Sequence, residues 1–598
     1  KVLYDLDGDR KFEDSVSFHA LNISDHQPLI HTADLTSAKL AALFTTQVEK
    51  SWAQAQQLLS LAAQLGINTD WYAFYKAPHS LQEKYDYAFW IRFYLYQDMR
   101  YEAMIKKDGA LKARIEKAYY TGDWSSVLNK PSTVRLATVL QSGMVVQQEK
   151  PFKIWGKAAA GTALTIHASW NPVVFTVKAE NNGTFYGEIE VPKANKGDYT
   201  KHQLRVVSKD TTIVLDDLMI GEVWFLSGQS NMEMSMRPYP PYHKGVIDNV
   251  NEIAKATIPG LRVYRNEKKY DAALQEFTDG KWWYGEPANV ALFSGVGFYF
   301  GRKLQQQLDI PVGLVQSSIG SASCQAFMSR AALSYDAELK AAYLDPYDRN
   351  PNDKIPLLRP MLVYNAMIHP LQPFSVRGVL WYQGESNAGE IQLYPALMAR
   401  LVESWRAEFK NPEMPFYYVQ MTPFNWNKKD SAEHKYAFFR EGQANVKNLV
   451  KNVDMVCTMD VGDPQDIHPT NKKPVGERLA RLALYNTYGI TADYPYGPIY
   501  SSMMVKSDKV LINFMPESVN MGLNTRDGKS PQHFYVAGED KVFHPAVATI
   551  KGKSIVLTST LVKKPVAVRY AFTNYPVTNL QNKNGLPVYP FRTDNWSL

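Results

Sequence analysis

Residues Glu222 to Ser235 read EVWFLSGQSNMEMS. The first half, Val223-Trp224-Phe225-Leu226, is an unbroken apolar run that suits a strand buried on both faces. The second half, Ser227-Gly228-Gln229-Ser230-Asn231, is small and polar. Turns favour Gly, Ser and Asn, so the break could be no more than a strand end. It could equally present Ser230 as a nucleophile at the carboxyl end of a strand. The neighbouring pattern decides between the two.

From about residue 218 to 490, strand-like and helix-like stretches alternate. EVWFLSG, PVGLVQSS, VRGVLWYQG, PFYYVQMTP and VDMVCTMD read as buried parallel strands, with GVGFYFGRKLQQQL and YPALMARLVESWRAEF as helices between them. This is the pattern of a doubly wound α/β domain, whose ligands bind outside the carboxyl ends of its strands. Ser230 lies at such an end.

The chain has 598 residues, too many for one hydrophobic core. Residues 1–131 read as mostly helical: SWAQAQQLLSLAAQLG sets Trp52, Ala55, Leu58, Leu59, Ala62 and Leu65 on one face, with Gly66 as a stop signal. DLDGD at Asp5–Asp9 hints at calcium, but Arg10 and Val16 stand where an EF-hand loop needs Gly and Glu. Residues 132–217 carry short runs punctuated by Gly and Asn, the signature of a small β-sandwich. Residues 491–598 are again β-rich, with KVLINFM, HFYVAGE, SIVLTST and VAVRYAF as the clearest strands.

Composition excludes several classes. Charged residues are 21% and the net charge of +7 is scattered, with no basic block of the kind that grips nucleic acid. No apolar run approaches the roughly 18 residues that a membrane span needs. Two cysteines, Cys324 and Cys457, cannot build a disulfide framework or a Cys-based zinc site, and two buried thiols are expected. Aromatics at 13% fit an extracellular carbohydrate-active protein, although large β-rich cores raise the share too. The start at Lys1 suggests a removed leader, hence an exported chain, periplasmic or extracellular.

A serine hydroxyl needs an adjacent base to become a nucleophile. The stretch TMDVGDPQDIHPTNKKPVGERLARLAL ends a strand at Asp460, runs through a polar loop with Asp463, Asp466 and His468, and begins a helix near Pro474. His468 is then at the same sheet edge as Ser230, and an acid beside it would hold its tautomer and stabilise the imidazolium. The competing readings are a turn histidine for His468 and a turn or N-cap aspartate for Asp466. Two other strand ends offer oxyanion donors, Gly320 in LVQSSIGSAS and Gln383 in LWYQGESNAG. Met232 replaces the second glycine of a G-x-S-x-G elbow, so the turn is not of the α/β-hydrolase kind.

Several motifs occur in a shared order: SGMVVQQEKPFKIWGKAAAGT, GEVWFLSGQSNMEM, FSGVGFYFGRKL, YNAMIHPL, RGVLWYQGESNA, REGQANV, DIHPTNKKPVGERLA and, near the C-terminus, PVAVRYAFTNYPVTNLQNKNGLPVYPFRTDNW. On these, residues 133 to 598 resemble the sialate O-acetylesterase-like carbohydrate esterases, a branch of the SGNH (GDSL-like) hydrolases. The resemblance implies an α/β, SGNH-type, flavodoxin-like doubly wound parallel sheet flanked by β-sandwich domains. It implies a serine esterase that removes O-acetyl groups from sialic acid or from plant cell-wall glycans such as xylan and xyloglucan, with no metal or organic cofactor. Ser230 would be the nucleophile and His468 the base. Ser230 N–H, Gly320 and Gln383 would form the oxyanion hole. The acid is Asp466 by first choice, with Glu385 and Asp463 as alternatives, because Gln465 stands where many SGNH enzymes place Asp. Gly320-Ser321-Ala322 likewise replaces a frequent Gly-Gly-Thr. The helical segment before Pro131 matches nothing in the family. Arg237, Lys472 and Lys473 lie near the motifs, and a cation at the site would favour an anionic sugar.

Two other functions compete. In a glycoside hydrolase, Glu385 with Asp463 or Asp466 would form the paired carboxylates, but Ser230 would have no role. In a non-catalytic carbohydrate-binding protein, the intact Ser230/His468 pair would be unexplained.

Overall fold

The computed structural model describes residues 134–425 and 435–596, together with 2–4, 14–16, 38–64, 80–105 and a few single positions of the first 133. The chain divides into two compact units, Lys1–Thr133 and Val134–Leu598.

Among its described residues the first unit has a helix pair, α1 (Ala38–Gln64) and α2 (Leu81–Ile105), and a two-stranded antiparallel ladder of Val2–Tyr4 and Asp14–Val16. Apolar residues at i, i+3, i+4 and i+7 make one stripe on α1, and Ala55, Leu58, Leu59 and Ala62 are all buried. They share a core with Ala88, Ile91, Leu95 and Met99 of α2, and Trp52 leans on it half-buried. Leu65, Gly66 and the Asp5–Asp9 stretch with its calcium reading lie outside the described residues.

The second unit is a mixed α/β fold built on a large mixed sheet with smaller sheets on its flanks. Its seven central strands are β1 (Thr212–Gly228), β2 (Ile258–Asn266), β3 (Gly280–Gly285), β4 (Val312–Ser318), β5 (Gly378–Tyr382), β6 (Phe416–Val419) and β7 (Val453–Val456). They run in the order β3-β2-β4-β1-β5-β6-β7, and every neighbouring pair is parallel except β2 with β3. Parallel neighbours need crossovers. These carry α3 (Gly295–Leu308), α4 (Tyr394–Glu408) and α5 (Lys435–Leu449), and α6 (Lys473–Asn486) follows β7.

The continuous apolar run in β1 follows from burial on both faces. Trp224 and Leu226 join a core with Val296 and Phe300 of α3 and Leu479 and Ala483 of α6. Val223 and Phe225, one residue out of phase, join another with Leu397 and Leu401 of α4 and Phe439 of α5. The Trp224 indole stacks on Tyr417 at 5.7 Å, and Phe225 meets Trp405 edge-on at 5.6 Å.

β1 reaches further back than the α/β pattern alone indicated. Its residues Thr212–Leu218 pair antiparallel with His202–Val207, across an irregularity between Leu215 and Leu218. Met219–Gly221 then lie parallel to Val145–Gln147. The expected boundary at 217/218 therefore falls inside one strand, and Ile154, Ile166 and Leu204 of the preceding β-region share a core with Phe225. A three-stranded sheet of Val134–Leu136, Phe152–Ala158 and Thr184–Ile189 completes that region.

Where these layers meet, Glu222 is fully buried and holds them together. Its carboxylate accepts two hydrogen bonds from Arg377, both of 2.8 Å, one of 2.6 Å from Gln148 and one of 2.8 Å from the Tyr488 hydroxyl.

After α6 come two four-stranded antiparallel sheets. One has the order Tyr500–Lys506, Lys509–Phe514, Ser554–Thr558, Val547–Lys551; the other Phe543–Pro545, Phe534–Ala537, Ala567–Tyr570, Phe591–Arg592. The buried Arg440 of α5 donates to the carbonyls of Thr573 and Asn574, tying this region to the central sheet. Cys324 and Cys457 are free, buried thiols, as the sequence suggests.

Candidate active site

The site grows from the end of β1. Gly228 has φ +128°, and a Cβ there would sit 2.2 Å from the Tyr382 carbonyl oxygen, so only glycine lets β1 approach β5 this closely. The Gln229 N–H then bonds the Tyr382 carbonyl at 2.9 Å, and the chain turns into a one-turn helix, Ser230–Glu233. In register, Gly228 faces Ser318 on β4 and Tyr382 on β5. The segments carrying Ser230, Gly320 and Gln383 thus leave three adjacent strands at one edge.

His468 comes to this edge on the loop between β7 and α6. Its Nε2 lies 2.7 Å from Ser230 Oγ, within hydrogen-bond distance, as a base activating a serine hydroxyl would need. Burial first, then the neighbouring His243 and Lys472, push the His468 imidazole down to about 4, while Asp466 pulls it the other way. The His243 ring meets His468 edge-on with centroids 4.8 Å apart and is itself lowered, chiefly by burial. The lowered value leaves the imidazole neutral at ordinary pH, the form that can accept a proton.

Of the three candidate acids, the structure brings only Asp466 to the histidine. Asp466 Oδ1 accepts the backbone N–H of His468 at 2.9 Å and lies 3.8 Å from its ring Nδ1. The second distance is an ion-pair separation, too long for a hydrogen bond. Asp466 Oδ2 pairs with Lys244 at 3.0 Å. Burial raises the Asp466 carboxyl, but the His468 N–H and Lys244 outweigh it and hold it below its usual value. Asp463 instead accepts the Gln465 N–H at 2.8 Å, as a turn residue does. Glu385 is buried with Oε1 on the Asn231 amide at 2.6 Å, and its Oε2 has no hydrogen-bond partner among the described residues. Burial raises the Glu385 carboxyl.

The three expected oxyanion donors differ in how they are engaged. As the first residue of a helical turn, Ser230 has a backbone N–H with no partner four residues back. The Gly320 N–H is close by, since a Cβ on Gly320 would touch Ser230 Cβ at 3.5 Å, but it donates to Glu233 Oε2 at 2.5 Å. Gln383 is engaged on the α4 side. Its amide nitrogen is spent on Asn387 Oδ1 at 2.7 Å and the Ala322 carbonyl at 3.4 Å, and its oxygen accepts from Tyr394 at 3.0 Å. The reason is strand parity: Tyr382 faces the core of α3 and α6, so the next residue turns toward Tyr394 on α4.

Four residues at the site were not singled out from the sequence for these parts. Asn231 donates to Glu385 Oε1 and, at 3.1 Å, to the Ile467 carbonyl, and accepts from Lys472 Nζ at 2.5 Å, so it bolts the serine turn to both other loops. Its place beside Ser230 was the one available signal. Gln229 Oε1 accepts from the N–H groups of Gly384 and Ser386 at 3.3 and 3.2 Å. Glu233 and His243 have no local signature, because their partners come from distant strands. Of the three basic residues near the motifs, Arg237 is exposed and Lys473 pairs with Glu252 at 3.4 Å. Lys472 is buried, and burial above all pushes it down to about 7.

Residues 220–485 match the family model described as a carbohydrate esterase, sialic acid-specific acetylesterase. Sialate O-acetylesterase of Mus musculus is 26% identical over 515 residues, covering 76% of this chain and 94% of the mouse protein. The Homo sapiens sialate O-acetylesterase is 27% identical over 500 residues, covering 76% and 92%. Among solved structures, a carbohydrate acetylesterase from Xanthomonas citri is 33% identical with a TM-score of 0.68, covering 77% of this chain and all of that one. With the motifs in order along the sequence and a fold shared with that acetylesterase, the chain belongs to the sialate O-acetylesterase-like carbohydrate esterases and is a carbohydrate O-acetylesterase.

Proposed function

We propose that Ser230 and His468 carry this reaction through an acetyl-serine intermediate on an SGNH-type sheet, acting on O-acetylated sialic acid or on acetylated plant cell-wall glycans. The observation that carries the reading is the 2.7 Å contact between His468 Nε2 and Ser230 Oγ. Ser230 Oγ attacks the acetyl carbonyl while His468 Nε2 takes its proton. The oxyanion settles on the Ser230 N–H, and on the Gly320 N–H once it displaces the Glu233 carboxylate. The imidazolium, steadied by Asp466, returns the proton to the leaving sugar oxygen. A water then gives a proton to His468 and attacks the acetyl-serine, and the imidazolium returns that proton to Ser230 Oγ as the Oγ–acyl bond breaks, which releases acetate and restores both residues. Acetate release across acetylated sialosides, xylan, xyloglucan and pectin tests the substrate class, and release from none of them would end the reading.

The acid is testable apart from the nucleophile. Asp466→Asn should lower kcat most, by about 10²–10⁴-fold, and Asp463→Asn by less than about threefold. Glu385→Gln keeps an acceptor for Asn231 and should fall between them. Equal, slight losses in all three would mean that His468 is oriented without a carboxylate.

The pH profile follows from the depressed imidazole. His468 must be neutral to act, and its folded value of about 4 lies below the usual value near 6.5. The acid limb of kcat/KM should therefore fall near pH 4–5, and a limb centred near 6.5 would contradict this. Between these values the unfolded chain binds the proton and the folded one does not. This contribution to stability is therefore complete above about 6.5 and is lost as pH falls toward 4.

A further inference from the structure

Away from Ser230, a cavity of about 330 Å³ lies against the outward side chains of the three-stranded sheet, lined also by His369, Pro370, Gln372, Pro373 and Lys410. None of the residues around Ser230 and His468 lines it. Along Phe152–Ala158, burial alternates, so Lys153, Trp155 and Lys157 face outward. Trp155 stands directly opposite Tyr186 on the antiparallel neighbour. Opposed residues share a face, so the two rings form one aromatic shelf, with Tyr186 44% exposed. Phe277 adds a third ring at the rim.

The polar groups over this shelf are unevenly satisfied. Lys157 pairs with Glu276 at 2.9 Å, and Gln372 donates to Glu408 at 2.8 Å. Among the described residues, Lys153 forms no ion pair or hydrogen bond, although it is half-buried. Burial foremost lowers it, Lys410 adds repulsion, and Glu188 opposes both. The Lys410 ammonium lies 5.8 Å above the Tyr186 ring, also without a carboxylate partner. His369 spends Nδ1 on Gln372 at 3.2 Å, and its Nε2 has no hydrogen-bond partner among the described residues.

An occupant of this space must have an apolar face for the shelf and oxygen acceptors around its edge for Lys153 and Lys410. A hydrocarbon would leave both cations unpaired, which is costly once they are desolvated. A lone inorganic anion would leave the rings uncovered. A pyranose has both parts, a C–H face and a rim of oxygens, and the volume lies within the usual range of small-molecule pockets, roughly 300–1,000 Å³. We propose that this cavity is a non-catalytic glycan subsite, in which a pyranose unit stacks on Trp155 and Tyr186 and its oxygens accept from Lys153 and Lys410. The proposal rests on the carbohydrate reading of the Ser230 site, since such a subsite would hold a glycan chain whose acetylated unit reacts elsewhere.

Calorimetry on the Ser230→Ala protein, which binds without turnover, supplies the test. The probes are a neutral xylo-oligosaccharide and two acidic ones, a sialylated oligosaccharide and an oligogalacturonate. Binding by either kind should weaken about tenfold or more in Ser230→Ala carrying Tyr186→Ala or Lys153→Ala. A neutral preference assigns the acceptors as hydroxyls, and an acidic one as a carboxylate. Trp155→Ala should act alike, but Trp155 packs against the core, so Tyr186 and Lys153 decide. With Ser230 intact, KM for acetylated polysaccharide should rise about tenfold relative to KM for p-nitrophenyl acetate in the same variant. Unchanged affinity and an unchanged KM ratio in both variants, with normal acetate release, would overturn the subsite alone. Tyr186-dependent binding in a wild-type protein that deacetylates no glycan would overturn the active-site reading and leave the subsite standing.

Discussion

Ser230→Ala should lower kcat by about 10⁴–10⁶-fold on both p-nitrophenyl acetate and acetylated glycans, with little change in stability. The expected loss is large because in the proposed mechanism Oγ is the attacking atom, and it is the partner of His468 Nε2. What survives is stabilisation of direct water attack by the remaining backbone donors. His468→Ala should cost nearly as much, since Ser230 would then keep its proton. The double variant should be scarcely worse than either single one, because the two residues act as a unit. Additive losses would mean that the two serve separate steps, and near-normal turnover in Ser230→Ala would remove it from the mechanism.

Glu222→Ala should destabilise the second unit by about 3–5 kcal/mol. Glu222 is fully buried, and its removal strands Arg377, which makes a two-pronged contact with it, together with the Tyr488 hydroxyl and the Gln148 amide. The cost is mainly that of an uncompensated cation and donors facing a void. Glu222→Ala combined with Arg377→Met should accordingly recover part of the loss. Denaturant unfolding of the single and double variants measures this. A loss under about 1 kcal/mol for Glu222→Ala would show that water replaces the carboxylate freely.

The readable parts of this chain were those that depend on local physics. Val223–Leu226 could be read as a central strand because burial on both faces leaves an apolar run. Ser230 and His468 could be paired because both sit on polar loops at strand ends. Asp466 could be ranked first among the acids by its distance in sequence from His468, and the structure places it nearest. The parts that stayed hidden depend on register and parity. Whether Gln383 faces the serine or α4 turns on one residue of strand phase. The backward extension of β1 to Thr212 needs partners in His202–Val207, which its own sequence does not name. Glu233 on Gly320 and His243 against His468 are contacts between distant segments, as are those of Asn231 with Lys472 and Glu385.

The most direct measurement is rapid-quench peptide mapping of the enzyme during turnover of p-nitrophenyl acetate. The mechanism predicts one acetyl group on the peptide containing Ser230, formed and lost at rates consistent with kcat and absent in Ser230→Ala. Acetyl on another residue in step with turnover, or steady acetate release with no acetyl-enzyme at any time, would contradict it.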